Sequence, residues 1–432
     1  MKVEVVSSEF IKPSDPTPLS LGRLDLSLFD QLTPAIYTPL LLYYPSGKTS
    51  PSVDKIRCLK SSLSLLLVHF YPLAGRIRDQ LYIDCNDWGV RFLEADVKCS
   101  LSDMLVRPQP LEMKMLLPID MESEEAGTGP ILLVQANSFE CGGFALGMCI
   151  SHKIADMGTF GNFLASWADA AVDITKVEPP LFNASTLIPP SIHLAGMPPV
   201  ELPKAKTITR RYVFDSSKLT ALRTRITSKQ VTPPTRVEAV SALLWKCISK
   251  ASLNLGLGRR KSLFSLAVNL RSRMLPPLPA NTFGNLVGSI CIGMTVDEVT
   301  ETDLSELARK FKEEKDSYLE NHVKKDLVGE KITMTISASA KAFGELISGE
   351  GVDFYNCSPW CGFPLYEADF GWGRPIWASH VSTQFKNSIV MMDQVGGEGI
   401  EVWLTLLTDH MNELDKVEGL MEFASLNPSI SR

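Results

Sequence analysis

The stretch Ile150-Ser-His-Lys-Ile-Ala-Asp-Met-Gly158 places an imidazole, His152, four positions before a carboxylate, Asp156. It follows an apolar run, Phe144 to Ile150, that reads as a strand. A histidine at a strand end opens onto a site and works as a base near neutral pH, because its ordinary pKa lies close to 6.5. Asp156 either reaches back to the imidazole or turns away to pair with another part of the fold, and it fixes the loop in both cases. The pattern alone is weak, since His and Asp at this spacing also stabilise a helical turn. Cys149, three residues before His152, is a candidate acyl-carrying nucleophile, although a small core residue is the plainer reading. His69, His193, His322, His380 and His410 stand without such company and read as surface or core histidines. No GxSxG elbow, GxxxxGK[ST] loop or HExxH helix is present, which argues against a serine hydrolase, an NTPase and a zincin.

The elements that must position this pair are legible as periodicities. Ile131 to Ser138 and Phe144 to Ile150 form a strand pair around Cys141-Gly-Gly143, and that pair delivers the chain to His152. Phe160 to Ala171 then has helical spacing, with Trp167 as a core anchor. Upstream, residues 54 to 70 read as a helix stopped by Pro72 and Gly75, and Leu81 to Cys85 and Val90 to Glu94 as two strands joined at Asn86 to Gly89. From Glu178 to Pro203 seven prolines crowd a stretch that holds no long helix or central strand, so it reads as a crossover between two domains. Beyond it come a strand at Arg211 to Phe214, a helix over Arg236 to Ser249, a buried strand at Phe264 to Asn269, a charged helix over Leu304 to Asn321 capped by Asp303, and a hairpin joining Ile389–Met392 to Ile400–Leu406. Gly349-Glu-Gly351 and the glycines of 396–399 read as turns.

With 432 residues, 45% of them apolar, the chain has material for two large domains. A net charge of −6 argues against a nucleic-acid binder. The small basic clusters Arg210-Arg211 and Arg259-Arg260-Lys261 read as solvated faces or strand edges or, less plainly, as docking points for an anionic cofactor. Nine cysteines without a CxxC pair fit free thiols in a reducing compartment, not a disulfide framework or a zinc site. The N-terminal residues lack a signal-peptide apolar core and no run is long enough to span a bilayer, so a cytoplasmic location is expected.

A second string, Tyr366-Glu-Ala-Asp-Phe-Gly-Trp-Gly-Arg-Pro375, describes a tight loop with a sharply bent backbone. With His-Lys-Ile-Ala-Asp at 152–156 and Asp-Phe-Gly-Trp-Gly at 369–373, in that order, the chain resembles the BAHD acyltransferases of plant specialised metabolism. Supporting strings are Tyr71-Pro-Leu-Ala-Gly-Arg76, Asp84-Cys-Asn-Asp87, Phe139-Glu-Cys-Gly-Gly143, Val268-Asn-Leu-Arg-Ser-Arg273 and Phe283-Gly-Asn285. The opening Ile11 to Pro18, the HKIAD variant and Cys357-Ser-Pro-Trp-Cys361 are similar to the branch that contains vinorine synthase and salutaridinol acetyltransferase.

The resemblance implies an α/β, chloramphenicol-acetyltransferase-like fold of two domains, each a mixed sheet with flanking helices, and an active-site tunnel between them. The expected division is 1–177 carrying HKIAD, a linker over 178–206, and 207–432 carrying DFGWG. By the same likeness His152 is the general base, Trp372 helps stabilise the oxyanion, and Asp156 pairs with Arg271 to hold the loop. Asp369, Gly371 and Gly373 are structural, in a loop expected to lie away from the histidine or near the CoA path, and Thr235 and Arg236 meet CoA at a helix N-terminus. No permanent cofactor is implied. The co-substrate is acyl-CoA, acetyl-CoA above all, the acceptor is a small-molecule alcohol on an alkaloid, terpenoid or related scaffold, and the enzyme is a monomer with no nucleic-acid or membrane partner. Hydroxycinnamoyl, benzoyl or other aliphatic transfer, and a non-catalytic binding protein of the same fold, remain alternatives. Gly362 stands where shikimate-acylating relatives carry a carboxylate-binding arginine, which disfavours an acidic acceptor, and Pro359 departs from the family's serine.

Overall fold

The computed structural model describes residues 1–46, 52–191, 194, 202, 204–227, 233–324, 344 and 351–430. His193, Gly349 and several prolines of the expected crossover lie outside the described residues. In chain order the strands of the first half are β1 (Val3–Ile11), β2 (Arg23–Asp25), β3 (Tyr37–Tyr44), β4 (Arg76–Arg78), β5 (Tyr82–Asp84), β6 (Val90–Val97), β7 (Leu132–Phe139) and β8 (Phe144–Ser151). Those of the second half are β9 (Thr207–Phe214), β10 (Lys261–Asn269), β11 (Val287–Thr295), β12 (Val352–Pro359), β13 (Trp377–Ser379), β14 (Ser388–Asp393), β15 (Ile400–Leu407) and β16 (Ser425–Leu426).

Two mixed sheets organise them. The first runs β1-β6-β7-β8-β3-β13 and the second β11-β10-β12-β14-β15-β9-β16, with β2-β5-β4 as a small third sheet. Within the first, β3 and β8 are mostly apolar, with Thr38 and Ser151 as the polar exceptions, and are buried along their whole length, as expected of central strands covered on both faces. The helix Met157–Val172 lies against the helix Ser52–Leu66; Trp167 is fully buried between them and its indole N–H donates to Ser62 Oγ at 3.0 Å. In the second half the helix Arg236–Asn254 buries Trp245, whose indole donates to Ser262 Oγ at 2.8 Å.

The DFGWG segment lies late in the sequence but packs in the first core, which includes Leu365, Ala368, Phe370 and Trp377. β13 joins the first sheet as an antiparallel neighbour of β3. A buried carboxylate, Glu401 on β15, ties the halves: it accepts two hydrogen bonds from Arg211 at 2.7 and 2.8 Å and one from the Trp377 indole at 3.1 Å.

Four local expectations need correction. The strands around Asn86–Gly89 do not form a hairpin: β5 pairs with β2 and β4, whereas β6 pairs with β1 and β7, because Asp87 and Gly89 both take positive φ and turn the chain from one sheet to the other. Arg211 is no solvated face, being 2% exposed against Glu401. Asp303 stands at the N-cap of Leu304–Tyr318, but its side chain makes no capping bond. The helix expected to run to Asn321 ends its α-turns at Tyr318 and widens into a π-turn over Leu319–Val323.

Candidate active site

His152 follows β8 directly. Its backbone N–H donates to Ile36 C=O at 2.8 Å beside the start of β3, and its own C=O accepts from Asn285 Nδ2 at 2.8 Å. The loop is thus pinned from both halves of the molecule. The ring is partly exposed, and its Nδ1 lies 3.0 Å from Ala155 C=O. A carbonyl only accepts, so Nδ1 carries the proton and Nε2 presents its lone pair. Burial depresses the imidazole's pKa below its ordinary value, against the opposing pull of Asp156 and the bond to Ala155. The ring is therefore neutral at pH 7 and available as a base.

Asp156 does not touch the imidazole through a hydrogen bond. Oδ1 accepts from Thr159 N–H at 2.8 Å and Arg271 Nη2 at 3.0 Å, and Oδ2 accepts from Arg271 Nη1 at 2.8 Å and Leu286 N–H at 2.9 Å. Its acceptor capacity is spent on a helix N-cap, on the guanidinium and on the segment that precedes β11. Both partners are buried, and Arg271 and the two backbone donors hold the Asp156 carboxyl below the usual carboxylate range despite desolvation, which is the largest influence and acts the other way. Arg271 also donates from Nε to Thr282 C=O at 3.0 Å and from Nη2 to Gly284 C=O at 3.0 Å.

Several residues of this assembly were not picked out as site residues in the sequence. A Cβ at Gly158 would stand 2.4 Å from Arg271 Nη1, so the guanidinium requires glycine there. Asp30, in the helix Leu28–Leu32, accepts from both the backbone N–H and the Nδ2 of Asn285 at 2.8 Å each. Lys153 Nζ donates to Gln31 and Thr33 carbonyls at 2.7 and 2.8 Å, and burial brings its pKa down to about 8. The string Phe283-Gly-Asn285 was the available signal for Asn285; nothing in the local pattern marked Asp30.

The remaining candidates fall elsewhere. Asp369 accepts from Gly371 and Gly373 N–H at 2.9 Å each, and both glycines hold positive φ, at 96° and 107°, so the loop closes on its own carboxylate. Trp372 packs edge-on to Tyr44 and Phe144, with ring centroids 6.2 and 6.4 Å away. Phe144 begins β8 and His152 follows its end, a separation of roughly 25 Å at strand rise. The expected oxyanion role of Trp372 is therefore corrected: the indole is at the wrong end of the strand to meet the reacting atoms.

Thr235 Oγ1 accepts from Glu238 N–H at 3.2 Å while Glu238 accepts from Thr235 N–H at 2.9 Å. The capping box thus takes up the Thr235 hydroxyl and N–H and the Glu238 N–H, and it sets a carboxylate at the helix end expected to meet a phosphate. Arg236 pairs with Asp393 at 3.0 Å and donates to Gly397 C=O. Gly362 takes φ +84° and donates its N–H to the other oxygen of Asp393 at 2.6 Å, a backbone that a side chain would strain. Pro359 ends β12 in register with Met391. Cys149 is fully buried in β8 and desolvation pushes its thiol far up, which makes it inert as a nucleophile.

A family model described as Transferase family matches residues 1–421. Akuammiline synthase 1 of Alstonia scholaris is 37% identical over 427 residues, covering 98% of this chain and 97% of the relative. Salutaridinol 7-O-acetyltransferase of Papaver somniferum is 34% identical, with 96% of each chain covered. The crystal structure of vinorine synthase matches with a TM-score of 0.86 at 31% identity over 100% of both chains. Among the described residues no helix is long and apolar enough to cross a membrane.

Proposed function

Since the chain belongs to the BAHD acyltransferases of the Transferase family, we propose that it moves an acetyl group from acetyl-CoA to a hydroxyl of an alkaloid, terpenoid or related plant scaffold. His152 Nε2 removes the proton of the acceptor hydroxyl as its oxygen attacks the thioester carbonyl. The tetrahedral oxyanion collapses, the C–S bond breaks, and the CoA thiolate takes the proton from the imidazolium. Both substrates are present together, so no acyl-enzyme forms. A base positioned in this way contributes about 100- to 10,000-fold in rate.

The observation that carries this reading is the imidazole itself: Nδ1 held by Ala155 C=O, and a depressed pKa that keeps Nε2 unprotonated. Asp156 and Arg271 act as positioning residues, with Gly158 leaving room for the guanidinium. For CoA, Arg236 is the surviving candidate contact, because its guanidinium is one-third exposed while the Thr235 hydroxyl is engaged in the cap. The nine cysteines are all unpaired, in keeping with a cytoplasmic enzyme, and we take it to be a monomer. Incubation with acetyl-, longer aliphatic, benzoyl- and coumaroyl-CoA against a panel of alcohols, followed by thiol release, tests the assignment. Acetyl-CoA is expected to give the highest kcat/KM, and a preference for an aromatic donor would overturn that part of it.

A further inference from the structure

Along β12 the side chains alternate. Asp353, Tyr355 and Cys357 are buried, the last two in the core of the second sheet and its helices, so Asn356 and Ser358 lie on the opposite face. Ser358 pairs in register with Val390, and Val390 belongs to the core built around the first sheet. That face of β12 therefore looks towards the first half. β12 is bonded along both edges, and an interior strand between two layers ordinarily buries both faces. Asn356 is nonetheless exposed, and Phe354 and Ser358 are half-buried, so solvent-filled space lies against this wall.

The polar groups of the wall differ in what they have left to offer. Ser358 Oγ accepts from the Trp360 indole at 3.2 Å, and Asn269 Oδ1 accepts from Arg271 N–H at 3.1 Å. The Asn356 amide has no partner among the described residues, which leaves it one acceptor and two donor positions. β10 and β12 run parallel with Ser265 beside Asn356. Asn269, at the far end of β10, leads into Arg271, the residue that latches the His152 loop. Four residues of strand separate the two levels, so Asn356 lies about 13 Å along the strand axis from the latch. Asp393 and its partner Arg236 lie at the latch end of the same sheet.

Resting on the acyl-transfer reading above, we propose that Asn356 determines acceptor specificity. Its amide hydrogen-bonds a second polar group, a hydroxyl or carbonyl, at the end of a rigid polycyclic acceptor remote from the hydroxyl presented to His152. A scaffold of several fused rings is of the length of the roughly 13 Å that separates Asn356 from the level of the latch, and one that ends in hydrocarbon leaves the amide facing an apolar surface, which binding disfavours.

The test uses matched pairs of rigid tetracyclic alcohols, each with one hydroxyl at the acylated end and with or without a second at the far end. Both are assayed with acetyl-CoA against the wild type and Asn356→Leu. The substitution is expected to raise the KM for the diol about 3- to 10-fold, to leave kcat and the KM for acetyl-CoA in place, and to leave the KM for the mono-ol equal or lower. Asn356→Gln, which retains the amide, is expected to recover part of the diol preference. An unchanged diol KM in Asn356→Leu, or an equal rise for both alcohols, overturns the proposal. Acylation of neither alcohol by the wild type counts instead against the acyl-transfer reading.

Discussion

Asp156→Asn separates a latch from a relay. The carboxylate accepts four hydrogen bonds, two of them from a guanidinium that is 3% exposed. The amide keeps one oxygen and turns a pair of N–H donors towards Arg271 and one backbone N–H, and it leaves a buried cation without a counter-charge. Losing one partner of a buried pair costs about 3–5 kcal/mol, a large share of the roughly 5–15 kcal/mol that typically separates folded from unfolded chains. Denaturant titration of the variant should show that loss. The His152 loop then shifts, and a displacement near 1 Å costs about 100-fold in rate. Arg271→Met breaks the same pair from the other side and should lose stability and kcat to a similar degree. Asp156→Asn with Arg271→Met, which removes the stranded charge, should recover stability relative to either single variant without recovering kcat. A folded Arg271→Met enzyme that keeps full turnover would refute the latch, because the guanidinium is the side chain that ties Asp156 to the second half of the molecule.

Other outcomes follow from the same geometry. The acid limb of kcat/KM should fall below pH 6.5, since burial depresses the His152 pKa and the neutral ring is the active form; a limb above 6.5 would contradict the buried base. His380 is 4% exposed with a pKa brought down to about 4. Its folded form refuses a proton that the unfolded chain accepts below about 6.5, so stability should decline as pH falls from there, by up to about 3 kcal/mol at pH 4, and His380→Phe should flatten that part of the stability profile. Gly158→Ala should lower both stability and kcat, because its methyl group collides with Arg271 Nη1, whereas Cys149→Ala should retain turnover, and an acyl group trapped on Cys149 would argue for a covalent intermediate.

The site was legible in sequence where chemistry and secondary structure coincide. His152 stands at a strand end because β8 is an uninterrupted apolar run up to Ile150, whereas the N-cap role of Asp156 was not read, because helical spacing was traced only from Phe160 and the helix starts at Met157. The pairing of Asp156 with Arg271, 115 positions apart, was available only through family likeness, since long-range contacts leave no local period. Asp30 was invisible for the same reason. The misreading of Trp372 has a different cause: motif order along the chain carries no information about which end of β8 the loop covers. Arg211 misled because two adjacent arginines look solvated, and only the pairing of β9 with β15, which sets Arg211 opposite Trp403, brings Glu401 two positions away within its reach. The second half's hairpin of β14 and β15 was readable because alternation and glycine-rich turn agree locally.

The most direct measurement is the rate of CoA release by His152→Ala with acetyl-CoA and a competent alcohol, alongside proof from the unfolding midpoint that the variant is folded. Loss of about 100- to 10,000-fold in kcat, with the KM for acetyl-CoA little changed, is the predicted result. Wild-type turnover by a folded His152→Ala protein would contradict the role given to the imidazole.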